Sequence, residues 1–287
     1  MEKVDLIECP RDAMQGIKTF IPTARKVEYI QMLLNCNFHT LDLGSFVSPK
    51  AIPQMQDTKE VIRQLDFSRS NSKILTVVVN ERGAQEAVQF DQIDCLGYPF
   101  SISETFQMRN THKTIQESLA VLRSIYAISA AAKKELVVYL SMGFGNPYGE
   151  EWNLDLVNYW VSELVNIGVK VISLSDTVGS SNASIIESVY RFLIPKFPEI
   201  TFGAHLHTTK SSWFEKLNAA YMSGCRRFDG AIQGFGGCPM AGDALVGNMP
   251  TEQMLSYFAQ QKAVHSIETL GFESAHNRAT MLFGEYV

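Results

Sequence analysis

Short runs of apolar and β-branched residues recur along the chain, parted by longer stretches whose apolar residues return every third or fourth position. The runs fall at 4–8, 40–43, 74–79, 92–96, 136–140, 169–174, 200–206 and 227–231. Several are apolar without alternation, as in Ile74-Leu75-Thr76-Val77-Val78-Val79. A strand with one wet face alternates, whereas a parallel strand covered on both faces reads as a continuous apolar run. The intervening stretches have helical spacing. Residues 23–35 set Val27, Ile30 and Leu34 on one face, 153–167 do so with Leu154, Val157, Val161 and Leu164, and 180–193 with Ile185, Val189 and Phe192.

About eight strand–helix alternations within 287 residues predict an α/β fold, a (β/α)8 TIM barrel forming one domain over 1–287. A doubly wound sheet is the alternative, but no G-x-G-x-x-G follows the first strand. A barrel requires its functional groups at the C-terminal ends of strands. Arg11-Asp12 follow the first strand, Asp42 ends the second and Glu104 lies in the loop after the fourth. Asp176 ends the sixth, His205 and His207 end the seventh, and a glycine-rich stretch at 234–248 follows the eighth. These six strand ends place their polar residues on one face.

The most specific of these features is Gly203-Ala204-His205-Leu206-His207. Residues two apart in a strand share a face, so both imidazoles aim at one spot. Alone, such a pair is more often two hydrogen-bonded histidines than a metal site. With Asp12 and Asn248 it forms a donor set of two imidazoles, a carboxylate and an amide oxygen. That set suits Mg²⁺, Mn²⁺ or Zn²⁺ with positions left for substrate. Such an ion can bind a hydroxyl and a carbonyl together and lower the pKa of the hydroxyl. Arg11 beside it is a fixed cation for an enolate oxygen.

The stretch Gly234-Phe235-Gly236-Gly237-Cys238-Pro239-Met240-Ala241-Gly242-Asp243 reads as a loop over the barrel mouth that closes on substrate, with Cys238 as an acid or base. No P-loop and no G-x-S-x-G occurs, so the signals for phosphoryl transfer and serine hydrolysis are missing.

Composition narrows the setting. The chain is 46% hydrophobic and 19% charged with a net charge of −5, an ordinary globular balance that argues against a nucleic-acid surface. Five cysteines (Cys9, Cys36, Cys95, Cys225, Cys238) form no C-x-x-C, which predicts reduced thiols and a cytoplasmic location. Cys9, Cys36, Cys95 and Cys225 read as packing residues; His39, His112, His265 and His276 lack partner spacing. No secretory segment or membrane-length apolar run is read from the sequence. A homodimer is the default for a soluble enzyme.

At these residues the chain resembles the 3-hydroxy-3-methylglutaryl-CoA lyases, within a metal-dependent family of (β/α)8 acyl-CoA lyases and synthases. The stretches that carry the resemblance begin with Glu8-Cys9-Pro10-Arg11-Asp12-Ala13-Met14-Gln15 and Ser45-Phe46-Val47-Ser48-Pro49-Lys50 with Pro53-Gln54-Met55. They continue with Ser103-Glu104 and Asn110, Asp176-Thr177-Val178-Gly179, His205-Leu206-His207, and Gly236-Gly237-Cys238-Pro239 with Gly247-Asn248. The resemblance implies cleavage of 3-hydroxy-3-methylglutaryl-CoA to acetyl-CoA and acetoacetate, a step of leucine and ketone-body catabolism. It implies Mg²⁺ or Mn²⁺ held by Asp12, His205, His207 and Asn248, and catalytic roles for Arg11, Asp42, His205 and Cys238. Gln15, Ser45, Ser173 and Asp176 would, with Arg11, line the substrate, an acyl-CoA. Read from the sequence alone, Lys50 is equally a phosphate contact and a solvated surface charge.

Three positions depart from the lyase pattern. Ala13 replaces a glycine, Asp42 replaces a glutamate one methylene longer, and the loop from Cys238 to Asn248 has one extra residue. Motifs shared across the superfamily leave other functions open. These are a Claisen-type acyltransferase joining acetyl-CoA to a 2-oxo acid, an aldolase for hydroxy-oxo acids, and a barrel that binds acyl-CoA without turnover.

Overall fold

The computed structural model describes residues 2–237 and 246–286. Eight parallel strands, β1 (Asp5–Glu8), β2 (Thr40–Ser45), β3 (Lys73–Val77), β4 (Cys95–Ser101), β5 (Glu135–Ser141), β6 (Val171–Asp176), β7 (Thr201–Thr208) and β8 (Arg227–Gly230), pair in chain order. The β1–β8 pairing closes them into the barrel that the apolar runs predict. A two-residue strand β9 (Gly247–Asn248), not anticipated, pairs antiparallel with β7 and sets Asn248 opposite His207.

Helices fill the outside: α1 (Pro10–Gln15), α2 (Thr23–Leu34), α3 (Thr58–Gln64), α4 (Glu81–Ala87), α5 (Glu104–Thr111), α6 (Ile115–Ala131), α7 (Leu154–Ile167), α8 (Ala183–Lys196), α9 (Trp213–Met222), α10 (Thr251–Gln260) and α11 (Thr269–Tyr286). None of them is long and apolar enough to cross a membrane.

Burial explains the unbroken apolar runs. Every residue of β2 and β6 is buried, because one face meets the helices and the other fills the barrel. Leu75, Val77, Cys95, Val137, Tyr139 and Val171 form an interior cluster separate from the large core between strands and helices. Helix starts follow local chemistry: Asn153 and Asn182 accept from the backbone N–H of Leu156 (2.8 Å) and Ile185 (3.0 Å). Gly168 closes α7 at φ 112°, a conformation that favours glycine.

Boundaries differ from the expectation where local signals compete. The fourth run was expected at 92–96, but β4 continues through Pro99 to Ser101. Gly97 and Pro99 are both poor strand formers, so the strand signal ends at Leu96 although the chain stays in the sheet. Glu104, expected in a loop, is instead the first residue of α5, where its carboxylate accepts from the N–H of Ile115 at 3.2 Å. There it braces the start of α6. The four thiols of Cys9, Cys36, Cys95 and Cys225 are buried and unpaired, as packing residues are.

Candidate active site

The six-residue helix α1 starts directly after β1, with Pro10 at its first position, where a missing N–H costs nothing. This abrupt turn delivers Arg11 and Asp12, both buried, to the mouth of the barrel. Asp12, His205 and His207 each bring one ligand atom, all within 4.8 Å of one another. They come from opposite ends of the sequence, through the closure that joins β1 to β8 and β8 to β7.

Each imidazole is held by the nitrogen that a metal would not use. Nδ1 of His205 donates to Asp229 at 3.2 Å, and Nδ1 of His207 donates to the carbonyl of Thr177 at 2.8 Å. A carbonyl only accepts, so His207 carries its proton on Nδ1 and leaves Nε2 with a lone pair. That Nε2 is buried and has no partner among the described residues. An orphaned buried acceptor beside a carboxylate and a second imidazole fits a divalent cation, since burial without a partner is otherwise costly. Asn248 completes the set: its Nδ2 donates to Asp12 at 2.6 Å and to the Phe235 carbonyl at 2.8 Å, which leaves its amide oxygen as the atom to offer.

Arg11 lies against the same carboxylate. Its Nη1 donates to Asp12 at 2.8 Å and to Gln15 at 2.9 Å, while Nε (3.2 and 3.1 Å) and Nη2 engage Asp42. Burial acts to raise the Asp12 pKa, yet the charges of Arg11, His205 and His207 prevail and bring it down to about 2. Burial works against the Arg11 cation too, but Asp42 and Asp12 hold it firmly charged. For His205 burial is outweighed by Asp229, and its pKa is raised; burial and the charge on His205 keep His207 below its ordinary value. Burial, with Asp229, Asp42 and Asp12 nearby, pushes the Cys9 thiol well up, so Cys9 is no nucleophile here.

The residues expected around substrate have different surroundings. Gln15 bonds both Arg11 and Asp12. The Ser45 hydroxyl is buried with no partner among the described residues. Ser173 donates to Asp229 at 3.0 Å and so stands behind His205. Asp176 is engaged by Lys216 and Ser181, both at 2.6 Å. Lys50 is exposed. Cys238 lies outside the described residues.

Sequence reasoning missed four participants. Arg227 and Asp229 form a buried pair at 2.7 Å inside the barrel, and charged residues two apart in an apolar strand were the available signal. Tyr139 stacks edge-on against His205 with centroids 5.5 Å apart, its hydroxyl buried without a partner among the described residues. Lys216 sits in a helix, where no local pattern marks it.

The chain has relatives among known proteins. The HMGL-like family model matches residues 4–278. The chain is 30% identical over 252 residues to a hydroxymethylglutaryl-CoA lyase of Bacillus subtilis, covering 88% of this chain and 83% of that protein. It is 28% identical over 268 residues to the (R)-citramalyl-CoA lyase of Chloroflexus aurantiacus, covering 90% and 84%. It superposes with a TM-score of 0.90 on an HMG-CoA lyase from Acinetobacter baumannii solved with coenzyme A and 3-methylmalate, at 28% identity over 98% of this chain and 92% of that one.

Proposed function

The chain belongs to the HMGL-like family, and from that premise we propose a metal-dependent carbon–carbon lyase that cleaves 3-hydroxy-3-methylglutaryl-CoA to acetyl-CoA and acetoacetate. The observation that carries this reading is the convergence of Asp12, His205 and His207, within 4.8 Å of one another, beside the Arg11 guanidinium.

In this reaction the tertiary hydroxyl loses its proton and becomes the ketone of acetoacetate as the adjacent C–C bond breaks. The electron pair passes into the thioester as an enolate, which takes a proton on carbon to give acetyl-CoA. Mg²⁺ or Mn²⁺ held by Asp12, His205, His207 and Asn248 would make the hydroxyl more acidic.

Arg11 supplies the charge for the enolate. Four of its five donors are engaged by Asp42, Asp12 and Gln15, so one Nη2–H is left for a substrate oxygen. Being held on three sides, it meets that oxygen with little reorganisation. Tyr139 and Ser45 offer unpartnered hydroxyls to the polar end of the substrate. Cys238 takes the role of proton carrier, which its place in the glycine-rich stretch after β8 supports. Thiols without C-x-x-C spacing support a cytoplasmic setting, and a homodimer is the assembly proposed.

The test is acetoacetate release from 3-hydroxy-3-methylglutaryl-CoA by chelator-treated protein, with and without Mg²⁺ or Mn²⁺, beside Cys238→Ser. Metal-dependent product that falls sharply in the variant supports both assignments. No product from intact, metal-loaded protein overturns the substrate. The second reading would then be citramalyl-CoA cleavage, favoured by the 28% identity to the Chloroflexus enzyme and assayed by release of pyruvate.

A further inference from the structure

Lys216 is buried inside α9, and its ammonium has three acceptors for its three donors. Nζ reaches Asp176 at 2.6 Å, the carbonyl of Gly179 at 2.8 Å and the carbonyl of His207 at 3.0 Å. Asp176, which ends β6, also accepts from the Ser181 hydroxyl at 2.6 Å and from the Ser181 N–H at 3.3 Å. One cation therefore ties together the end of β6, the turn that follows it, and the end of β7.

That turn carries the Thr177 carbonyl, the acceptor that keeps the His207 proton on Nδ1. His207 is thus gripped twice: at its own carbonyl by Lys216, and at its ring by a turn that Lys216 pins from both ends. A bare aspartate in this place would be a buried charge without a counterion, and the turn would have no tether across to β7.

We propose that Lys216 is a positioning residue for the metal ligand His207, fixing the 176–179 turn and with it the tautomer and aim of the imidazole. The proposal rests on the metal-site reading, but its primary test needs neither metal nor substrate.

Lys216→Met alone strands a buried Asp176 carboxylate and is a poor reporter, so the paired variant Lys216→Met/Asp176→Asn carries the test. The first readout is the ¹⁵N chemical-shift pattern of the His207 ring in metal-free protein. The parent should show Nδ1 protonated and Nε2 as the free acceptor, and the variant a mixture of tautomers. The second is Mn²⁺ titration by calorimetry, in which the variant should bind 10- to 100-fold more weakly, the usual effect of losing support behind a ligand. A folded variant with the parent's ¹⁵N pattern and affinity within twofold overturns the proposal. A parent that binds Mn²⁺ yet fails to cleave 3-hydroxy-3-methylglutaryl-CoA overturns the proposed substrate and leaves the Lys216 result standing by itself.

Discussion

The Asp42 carboxylate lies along the edge of the Arg11 guanidinium, accepting from Nε at 3.2 and 3.1 Å and from Nη2. This is the side-on form of a bidentate pair, and both partners are buried. Asp42 is one methylene shorter than the glutamate of the lyase pattern, yet the contact is complete.

Asp42→Asn preserves shape and removes the countercharge. It should destabilise the protein by about 3 kcal/mol, the lower end of the cost of breaking a buried pair. Turnover should fall at least about tenfold, because Arg11 loses one of its two carboxylate anchors. Urea denaturation beside steady-state kinetics measures both; a variant matching the parent would remove Asp42 from the positioning of Arg11.

Among the proposed ligands, Asp12→Ala and His207→Ala should each weaken Mn²⁺ binding at least about 100-fold, since each removes a donor atom. Asn248→Ala should cost nearer tenfold, because it removes a neutral oxygen together with a bond that steadies Asp12. Calorimetric titration ranks the three. An Asp12→Ala protein that still binds like the parent would put the metal elsewhere.

Asp229→Asn should weaken Mn²⁺ binding by about 10- to 100-fold with little change in secondary structure. Asn can turn its amide hydrogens toward His205 Nδ1, favouring the tautomer whose proton blocks Nε2. Ser173→Ala removes only one of the donors to Asp229 and should change affinity by no more than a few-fold. Equal losses in the two variants would contradict this account.

Glu8, which is not among the proposed ligands, predicts a pH dependence of stability. Its carboxyl is buried, accepting from the Ile232 N–H at 2.8 Å and the Thr251 hydroxyl at 2.6 Å, and burial raises its pKa from 4.5 to about 8. The folded state therefore holds a proton that the unfolded state releases above pH 4.5. Its contribution is full below that value and is lost as pH rises toward 8, by on the order of 4 kcal/mol. Glu8→Gln keeps one acceptor for Ile232 and gives an N–H to Thr251, so it should abolish this slope and be the more stable protein at pH 8.5. Denaturation midpoints at pH 5 and pH 8.5 decide the matter; parallel pH profiles for parent and variant would contradict it.

Much of the site could be read from spacing because the relevant spacings are local. His205 and His207 share a face by the two-residue period of a strand, and Arg11-Asp12 follow a strand end directly. Glu104 misled because its strand ran five residues past the expected end, to Ser101, which changed a loop residue into a helix start. Asp176 was legible as a polar strand end, but its partner Lys216, 40 residues on, was not.

By itself the sequence determined the alternation of doubly covered parallel strands with helices, and the strand ends where polar groups would gather. Closure of the sheet rests on the pairing of β1 with β8. The tertiary structure alone decided the hydrogen-bond partners. Asp229 meets His205, Lys216 meets His207, and Asn248 meets Asp12 across 236 residues of sequence. Periodicity is a property of neighbours along the chain. A hydrogen bond between strand ends exists only once closure has brought those ends within about 3 Å of each other.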